Sequence, residues 1–167
     1  MAHDLESLKA KVAAHVAREA GKKVEVVALD PLPGGACQDN FRVELSIDGE
    51  RTRLVLRSDA KASLAGSLSR AQEFAVIAAA AEGGVRTPRA RWLARDLVRE
   101  GASAYFLDWV DGEAIGRKIV KSPELASARA ALPAELAAEL AKIHKIAPSA
   151  HAALLDASVA SAPGFDP

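Results

Sequence analysis

The residues best suited to chemistry are a glycine segment, an arginine and a glutamate that follow one another along the chain. The segment runs from Pro33 to Asn40 (PGGACQDN), and its adjacent glycines allow backbone conformations that other residues rarely adopt. Backbone N–H groups in such a segment could bind phosphate, although an ordinary turn explains the same pattern. Arg57 then ends an apolar run, and Glu73 lies within an alanine-rich stretch.

The order of these features matters more than any one of them. A single glutamate on a helix usually faces solvent, so Glu73 alone indicates little. An arginine, however, has a permanent charge and a planar fork of donors, and it can hold phosphate and carboxylate together. In phosphoryl-transfer enzymes a strand cation held by a helix glutamate positions nucleotide phosphates. The order therefore favours a phosphate-binding site, and it predicts an ion pair between Arg57 and Glu73.

A third feature is the apolar run from Tyr105 to Val110, which leads directly into Asp111-Gly112. Helical sequence follows it, so the run could be the linker between two lobes. Its free backbone groups could then hydrogen-bond the edge of a planar base. An edge strand followed by a turn is the alternative interpretation.

The first half of the chain predicts one helix and three strands that would position these residues. Apolar residues at helical spacing predict a helix over Leu5–Ala20, and alternation of apolar and polar residues predicts a strand over Phe41–Ile47. Further strands are predicted over Val24–Leu29 and Thr52–Arg57. Asp48-Gly49 is a typical hairpin turn, but the sequence leaves open whether the loop has two residues or more.

The second half predicts a helix, two strands and then only helices. The predicted elements are a helix over Ser67–Ala81, strands over Pro88–Ala94 and Ser103–Val110, and helices over Glu113–Val120, Glu124–Ala131 and Pro133–Ile146. Pro133 is expected at a helix start, where its missing N–H does no harm. Strands followed by helices predict an α+β fold, in which the sheet is antiparallel.

The amino-acid composition argues against some classes of binding partner and indicates a cellular compartment. Lys plus Arg and Asp plus Glu both total 22, so no charge surplus favours nucleic acid or an anionic membrane. The single cysteine, Cys37, excludes an internal disulfide. We find no signal peptide, and the longest apolar run, Phe74–Ala81, is too short to span a bilayer. These features predict a cytoplasmic protein, and the spacing of the four histidines predicts no metal site.

Together the motifs resemble the aminoglycoside phosphotransferase family. They are most similar to its branch related to the kinase-like domain fused to some acyl-CoA dehydrogenases. That branch has a Gly-Gly-x-Ser-Asn-x-Thr-Tyr loop, a Val-Leu-Arg strand, an Arg-Glu-aromatic helix, a Met-Glu-x-x-x-Gly-like linker and a Leu-Ala-x-Leu-His helix. The corresponding stretches here are Gly34–Phe41, Val55–Arg57, Gln72–Phe74, Leu107–Gly112 and Leu140–His144. The resemblance covers roughly Val24 to Ile146.

The resemblance implies a set of ATP-binding residues. In the loop these are Gly34, Gly35, Ala36, Cys37, Gln38 and Asn40, and on the following strand and helix they are Val55, Arg57 and Glu73. Leu107 matches the back of the adenine pocket, and the backbones of Asp108 and Val110 match the groups that bind adenine. The loop departs from the family pattern, because Cys37 replaces Ser, Gln38 replaces Asn and Asn40 replaces Thr.

The resemblance also implies a division of the chain. Residues 1–107 match a protein-kinase-like N-terminal lobe with an antiparallel sheet and one packed helix, 108–112 match the linker, and 113–167 match the start of a helical C-terminal lobe. The family's His-Gly-Asp-x-x-x-x-Asn catalytic loop and later metal-binding Asp do not occur in this sequence. We therefore expect a fragment of a phosphotransferase that phosphorylates an unidentified small-molecule hydroxyl, with no catalytic residues here and with the Mg²⁺ ligands outside this chain.

Two alternatives stay open at this stage. The chain could be a non-catalytic module that binds nucleotide or a partner, or a plain α+β interaction domain in which the glycine segment is only a turn. We further expect Leu136, Leu140 and Ile143 to form an exposed apolar stripe on the C-terminal helices. Such a stripe favours homodimer formation.

Overall fold

The computed structural model of the chain describes residues 4–32, 38–60 and 68–151. Its helices and strands, in chain order, are α1 (Leu5–Ala20), β1 (Val24–Pro31), β2 (Gln38–Ile47), β3 (Glu50–Asp59), α2 (Arg70–Glu82), β4 (Ala90–Arg95), β5 (Ser103–Asp108), α3 (Gly116–Lys121) and α4 (Ala126–Ile143). Single 3-10 turns lie at Pro123–Leu125 and Pro148–Ala150. The predicted α+β fold is confirmed.

The five strands form one antiparallel sheet in the order β1-β2-β3-β5-β4. Helix α2 lies in the connection between β3 and β4. Ile47 pairs with Glu50, so the β2–β3 hairpin closes with the two-residue turn Asp48-Gly49. The φ angles of these residues are +50° and +91°, the positive values that this type of tight turn requires at both positions. The structure thus settles the register that the sequence left open.

Helix α1 covers one face of the sheet. It begins at Leu5, where the Asp4 side chain accepts a hydrogen bond from the Ser7 N–H at 3.2 Å, and it ends before Gly21, which has the left-handed φ of +63°. Its buried apolar residues recur at the spacing of one helix face. The resulting core contains Leu8, Val12 and Val16 from α1 with Phe41, Val43, Leu45, Leu54, Leu56 and Phe106 from the sheet.

A buried histidine fixes α1 against β4. Arg18 donates to His15 Nδ1 at 2.7 Å, so His15 Nε2 carries the proton and donates to the Trp92 carbonyl at 3.3 Å. The ring also stacks on Phe106 at a centroid distance of 6.3 Å. Trp92 has a φ of +49° at an irregularity in β4, and this conformation directs its carbonyl to His15.

Helix α2 packs against β3, β4 and β5. It begins at Arg70, three residues later than predicted, because Ser69 and Gln72 cap it reciprocally through each other's backbone N–H groups. Phe74 meets Tyr105 of β5 edge to face at 5.8 Å. The position of α2 is therefore fixed at its first turn and by an aromatic contact in its middle.

The prediction of two helices separated at Pro133 is wrong. Residues Ala126–Ile143 form one helix with Pro133 inside it, and Pro123–Leu125 is only a 3-10 turn. The proline removes one backbone hydrogen bond, the one that would reach the carbonyl of Arg129. The alanines on both sides have the highest helix propensity of any residue, and they carry the helix across the gap. The helix predicted over Glu113–Val120 is shorter than expected and begins only at Gly116.

Helix α4 has few contacts with the rest of the described chain, and none of its residues is buried. Leu136, Leu140 and Ile143 are 59%, 51% and 46% exposed, so the predicted apolar stripe is confirmed. Arg86 binds the helix near its middle, where its N–H donates to Glu139 at 2.7 Å, and Arg129 near the start of the helix donates to the Ile119 and Ser122 carbonyls. Just beyond the helix, the Ile146 side chain packs so closely on Gly83 that a Cβ at Gly83 would lie 2.9 Å from it.

In the described ranges, no helix combines the length and the apolar character needed to cross a bilayer. The segment from 109 to 115, between β5 and α3, contains neither helix nor strand.

Candidate functional site

The sheet face opposite α1 carries a polar row next to an apolar row. Asn40, Arg57 and Tyr105 are direct partners across β2, β3 and β5 and therefore lie side by side. Two residues away along the strands, Val55 pairs with Leu107, which pairs in turn with Ala90 of β4. Alternate residues of a strand point to the same face, so both rows share one surface. We call this surface, with the linker beside it, the candidate site.

Arg57 lies at the centre of the polar row. Its Nη2 lies 3.0 Å from Glu73 Oε1 on α2, and the two side chains are 25% and 20% exposed. The predicted ion pair is therefore present. The same Nη2 donates to Gln38 Oε1 at 2.5 Å, and Gln38 is the first residue of β2. Arg57 thus joins β3 to α2 and to the strand that follows the glycine segment.

Glu73 has a second cationic partner that sequence reasoning missed. Arg70 Nη1 contacts Glu73 Oε2, and Arg70 is only 6% exposed. The sequence contained a signal for this contact, since Arg70 and Glu73 are three residues apart and such residues lie on the same side of a helix. An arginine in the first helical turn also faces the positive end of the helix dipole, so it needs nearby carboxylates to be stable there.

Tyr105 closes the polar row beneath α2. Its hydroxyl is buried near the Glu73 carboxylate, and burial raises the pKa of Tyr105, so the phenol stays neutral. Two further polar atoms in the row, Arg57 Nε and Asn40 Oδ1, are buried without a hydrogen-bond partner in the ranges that the structure covers. Buried polar atoms normally have partners, so these two are suited to a bound polar group.

The apolar row adjoins the arginine. Val55 and Leu107 are half-buried and in direct register, two residues along their strands from Arg57 and Tyr105. The structure therefore brings together the four sequence-predicted residues Val55, Arg57, Glu73 and Leu107. A flat apolar surface next to a cation matches the two halves of a nucleotide, the base and the phosphates.

The linker begins where β5 ends. The Asp108 N–H donates to the Arg89 carbonyl at 3.1 Å, and the Asp108 carboxylate binds Arg91 at 2.5 and 3.1 Å. Val110 is 66% exposed, and no hydrogen bond in the described part of the chain uses its N–H. Asp108 thus ends β5 with its carboxylate paired, and Val110 lies two residues beyond the strand with an exposed side chain.

Hydrogen bonds among three side chains hold the linker against β3; the residues are Arg53, Trp109 and Asp111. Arg53 binds the Asp111 carboxylate through both terminal nitrogens, at 2.7 and 3.1 Å, and Trp109 Nε1 donates to the same carboxylate at 2.9 Å. The Trp109 N–H also donates to the Arg53 carbonyl at 3.2 Å. The hydrogen bond from Arg53, with that from Trp109, lowers the pKa of Asp111 below its usual value.

Four predicted loop residues, Gly34, Gly35, Ala36 and Cys37, lie outside the described residues, so their contact with phosphate stays a prediction. The strands on either side are described. Pro31 pairs with Phe41, and the Leu32 N–H donates to the Asn40 carbonyl at 2.8 Å. The segment therefore leaves and re-enters the sheet at neighbouring positions, next to Gln38 and Asn40.

A cavity of about 660 Å³ lies between the end of α1, the β2–β3 hairpin and the linker, and its lining shares Asp108 with the candidate site. Neither Arg57 nor Glu73 lines it, and Lys22, Arg53 and Arg91, which do, are each paired with a carboxylate. Arg51, which also lines it, is paired with Glu44, so the cavity offers a phosphate no unpaired cation among the described residues. Among the described residues, no three His, Cys, Asp or Glu side chains cluster as metal ligands. The described residues thus do not fit a resident Mg²⁺ site.

The fold and the site define a class of protein. An antiparallel sheet in the order β1-β2-β3-β5-β4, with a helix between β3 and β4 whose glutamate pairs with a β3 cation, is the architecture of a protein-kinase-like N-terminal lobe. The chain matches the model of the phosphotransferase enzyme family, APH, over residues 28–159, which is most of its length. The chain belongs to this family.

One solved structure is similar to this chain. It is a protein from Ralstonia eutropha JMP134 provisionally assigned as an aminoglycoside phosphotransferase, and it is 21% identical, with a TM-score of 0.45. The match covers 68% of this chain and 30% of that protein, so the chain spans about a third of that protein's length. No curated protein matches the chain.

Proposed function

We propose that this chain is the nucleotide-binding part of a phosphotransferase that transfers a phosphoryl group from ATP to a small-molecule hydroxyl. The observation that carries the proposal is the 3.0 Å ion pair between Arg57 on β3 and Glu73 on α2. Membership of the phosphotransferase enzyme family supports the reaction class.

In this proposal each row of the candidate site binds one part of the nucleotide. Val55 contacts one face of the base, Leu107 lies at the back of its pocket, and the Asp108 carbonyl and the Val110 N–H hydrogen-bond its edge. Arg57 binds the phosphates, and Glu73 orients the guanidinium. The backbone N–H groups of the glycine segment, 34–37, add phosphate contacts, with Gln38 and Asn40 at its downstream end.

Phosphoryl transfer also needs a group that orients the acceptor hydroxyl and metal ions that neutralise the transferring phosphoryl. The sequence contains no His-Gly-Asp motif, and the described residues contain no metal-ligand cluster. We therefore expect this chain alone to bind nucleotide weakly and to transfer no phosphoryl group. As the resemblance to the family implies, we expect the residues that hold Mg²⁺ to lie outside this chain.

Calorimetry with ATP, ADP and adenosine tests the proposal. We expect weak binding of all three, and Arg57→Gln should weaken ATP and ADP binding by about tenfold while leaving adenosine binding unchanged, because Arg57 contacts only the phosphates. Arg51→Gln is the matched control, since Arg51 forms an exposed ion pair with Glu44 away from the candidate site. Absence of nucleotide binding at millimolar concentrations would refute the proposal.

A second candidate function is favoured by one observation, the exposed stripe on α4. Leu132, Leu136, Leu140 and Ile143 follow one side of the helix and are each at least 41% exposed. Exposed apolar stripes of this kind mark interaction surfaces. A non-catalytic module that binds a partner, here a second copy of the chain, is therefore the alternative, and light scattering distinguishes it from a monomeric nucleotide-binding domain.

A further inference from the structure

Asp59, the last residue of β3, joins three segments of the chain through its carboxylate and its carbonyl. Its Oδ1 accepts from the Arg70 N–H at 3.0 Å, and its Oδ2 accepts from the Ser103 N–H at 3.0 Å. Its backbone carbonyl accepts from Arg99, which also contacts Asp39 Oδ2 at 3.1 Å. The first turn of α2, the start of β5 and the start of β2 are therefore tied to one residue.

The Arg70 side chain lies between Asp59 and Glu73. Its Nε lies 3.5 Å from Asp59 Oδ1, its Nη1 contacts Glu73 Oε2, and its Nη2 donates to the Leu68 carbonyl at 2.9 Å. Carboxylate oxygens thus lie close to Nε and Nη1, which make no hydrogen bond in the described chain, while Nη2 does make one; the side chain is 7% exposed. A buried cation with two carboxylate partners has one favourable position, because moving it away from either partner leaves a charge uncompensated in a poorly solvated place.

This arrangement determines how Glu73 meets Arg57. A carboxylate facing a single arginine tends to bind it with both oxygens, which occupies two of its donors. Here Arg70 contacts Oε2, and the closest approach of Glu73 to Arg57 is made by the other oxygen, Oε1, at 3.0 Å. The Arg57 Nε consequently has no hydrogen-bond partner among the described residues. The Arg57 N–H groups that do not contact Glu73 therefore remain available to bind an anion.

We infer that Arg70 and Asp59 are positioning residues, which hold Glu73 in a one-oxygen contact with Arg57 and thereby keep Arg57 donors free for the phosphates of a nucleotide. The inference rests on the proposed nucleotide-binding function. It adds two residues, Asp59 and Arg70, which do not touch the nucleotide themselves. Removing Arg70 releases Glu73 to bind Arg57 with both oxygens, whereas Asp59→Asn keeps the Arg70–Glu73 contact and only loosens the position of Arg70.

Arginine side-chain NMR tests the inference without any ligand. In the wild-type chain, the buried Arg57 Nε–H has no oxygen partner. In Arg70→Gln, and more weakly in Asp59→Asn, we expect its proton signal to move downfield because Glu73 becomes its acceptor. The control Arg51→Gln should leave the signal in place. An unmoved Arg57 signal in a folded Arg70→Gln chain, as judged by circular dichroism, would overturn the inference whether or not nucleotide binds.

Nucleotide affinity provides the functional readout. Arg70→Gln should weaken ATP binding by about tenfold, the loss expected of one charge-assisted hydrogen bond, and should leave adenosine affinity unchanged. A merely destabilising change would weaken both ligands together. In an Arg57→Gln background, Arg70→Gln should have no further effect on ATP, since its effect passes through Arg57.

The outcomes separate the two proposals. If the wild-type chain binds no nucleotide, the proposed function fails, and the NMR result still decides the role of Arg70. If the wild-type chain binds ATP and Arg70→Gln binds it equally well, only the positioning role fails. Should Arg70→Gln not fold, Asp59→Asn keeps the guanidinium and removes one of its two charged partners, and the same two measurements apply to it.

Discussion

Glu73→Gln is the most direct test of the cluster beneath α2. The substitution preserves the shape of the side chain and removes its charge. In the structure the carboxylate contacts two guanidinium groups, those of Arg57 and Arg70, and is 20% exposed. A glutamine keeps one acceptor oxygen and replaces the other with an NH₂ group, which cannot accept from an arginine. One of the two charge-assisted contacts is therefore lost outright, and the other becomes an ordinary hydrogen bond.

The expected cost follows from these contacts. Hydrogen bonds to charged groups contribute about 1.5–3 kcal/mol, and the partial exposure of Glu73 favours the lower part of this range. We therefore expect the free energy of unfolding to fall by about 2 kcal/mol. For a chain of 167 residues this corresponds to a fall in Tm of about 4–8 °C.

Urea unfolding followed by circular dichroism measures this change. Glu82→Gln is the matched control, because it makes the same substitution on the same helix at a side chain that is 71% exposed. The control should change the free energy of unfolding by no more than about 0.5 kcal/mol. If Glu73→Gln costs as little as the control, the carboxylate does not bridge the two arginines in solution and our reasoning about the site is wrong.

Three other predictions concern the core, the linker and α4. Leu56→Ala, at a fully buried core position, should lower the free energy of unfolding by about 3 kcal/mol in urea titrations. The Arg53–Asp111 contact should be intact at neutral pH and lost as pH falls through the pKa of Asp111, which lies below its usual value, with a change in Trp109 fluorescence. If α4 mediates self-association, light scattering should show a dimer for the wild-type chain and a monomer for Leu140→Glu.

Each of these predictions has a matched control. Leu93→Ala removes an equal side chain at a position that is 41% exposed, and equal losses for Leu93 and Leu56 would contradict the assigned core. Asp111→Asn should abolish the fluorescence change at low pH, and its persistence there would assign that change to another group. Ala138→Glu places the same charge on the opposite side of α4 and should leave the dimer intact. If both variants are monomers, or if the wild-type chain is a monomer, the chain does not self-associate through the stripe.

The strands and α1 could be predicted because their own residues determine them. Phe41, Val43 and Leu45 alternate with polar residues, and this pattern indicates a strand with one buried face whatever else surrounds it. The order of Arg57 and Glu73 similarly predicted their contact, since a strand cation and a helix glutamate separated by one connection face each other in the expected architecture.

The remaining features depend on contacts between distant segments. Nothing in the sequence around His15 distinguishes it from the other residues of α1. Its hydrogen bond to the Trp92 carbonyl joins segments that meet only in the folded chain. The double pairing of Glu73 required the exact start of α2, which the capping by Ser69 sets and which the prediction missed by three residues. The helix boundary predicted at Pro133 was wrong for a local reason. Proline is common both at helix starts and just after helix ends, whereas here the flanking alanines have a helix propensity high enough to continue the helix through it.

The contact between Gly83 and Ile146 is a pivot about which α4 can tilt relative to α2. It joins the end of α2 to the end of α4, while Arg86 binds Glu135 and Glu139 in the middle of α4. Because the 18-residue helix α4 is about 27 Å long, tilting it by about 10° about this fulcrum would displace its other end by about 5 Å. A rotation of α2 too small to break the Glu73 contacts would thus be amplified at the end of α4 that lies nearest the linker in sequence.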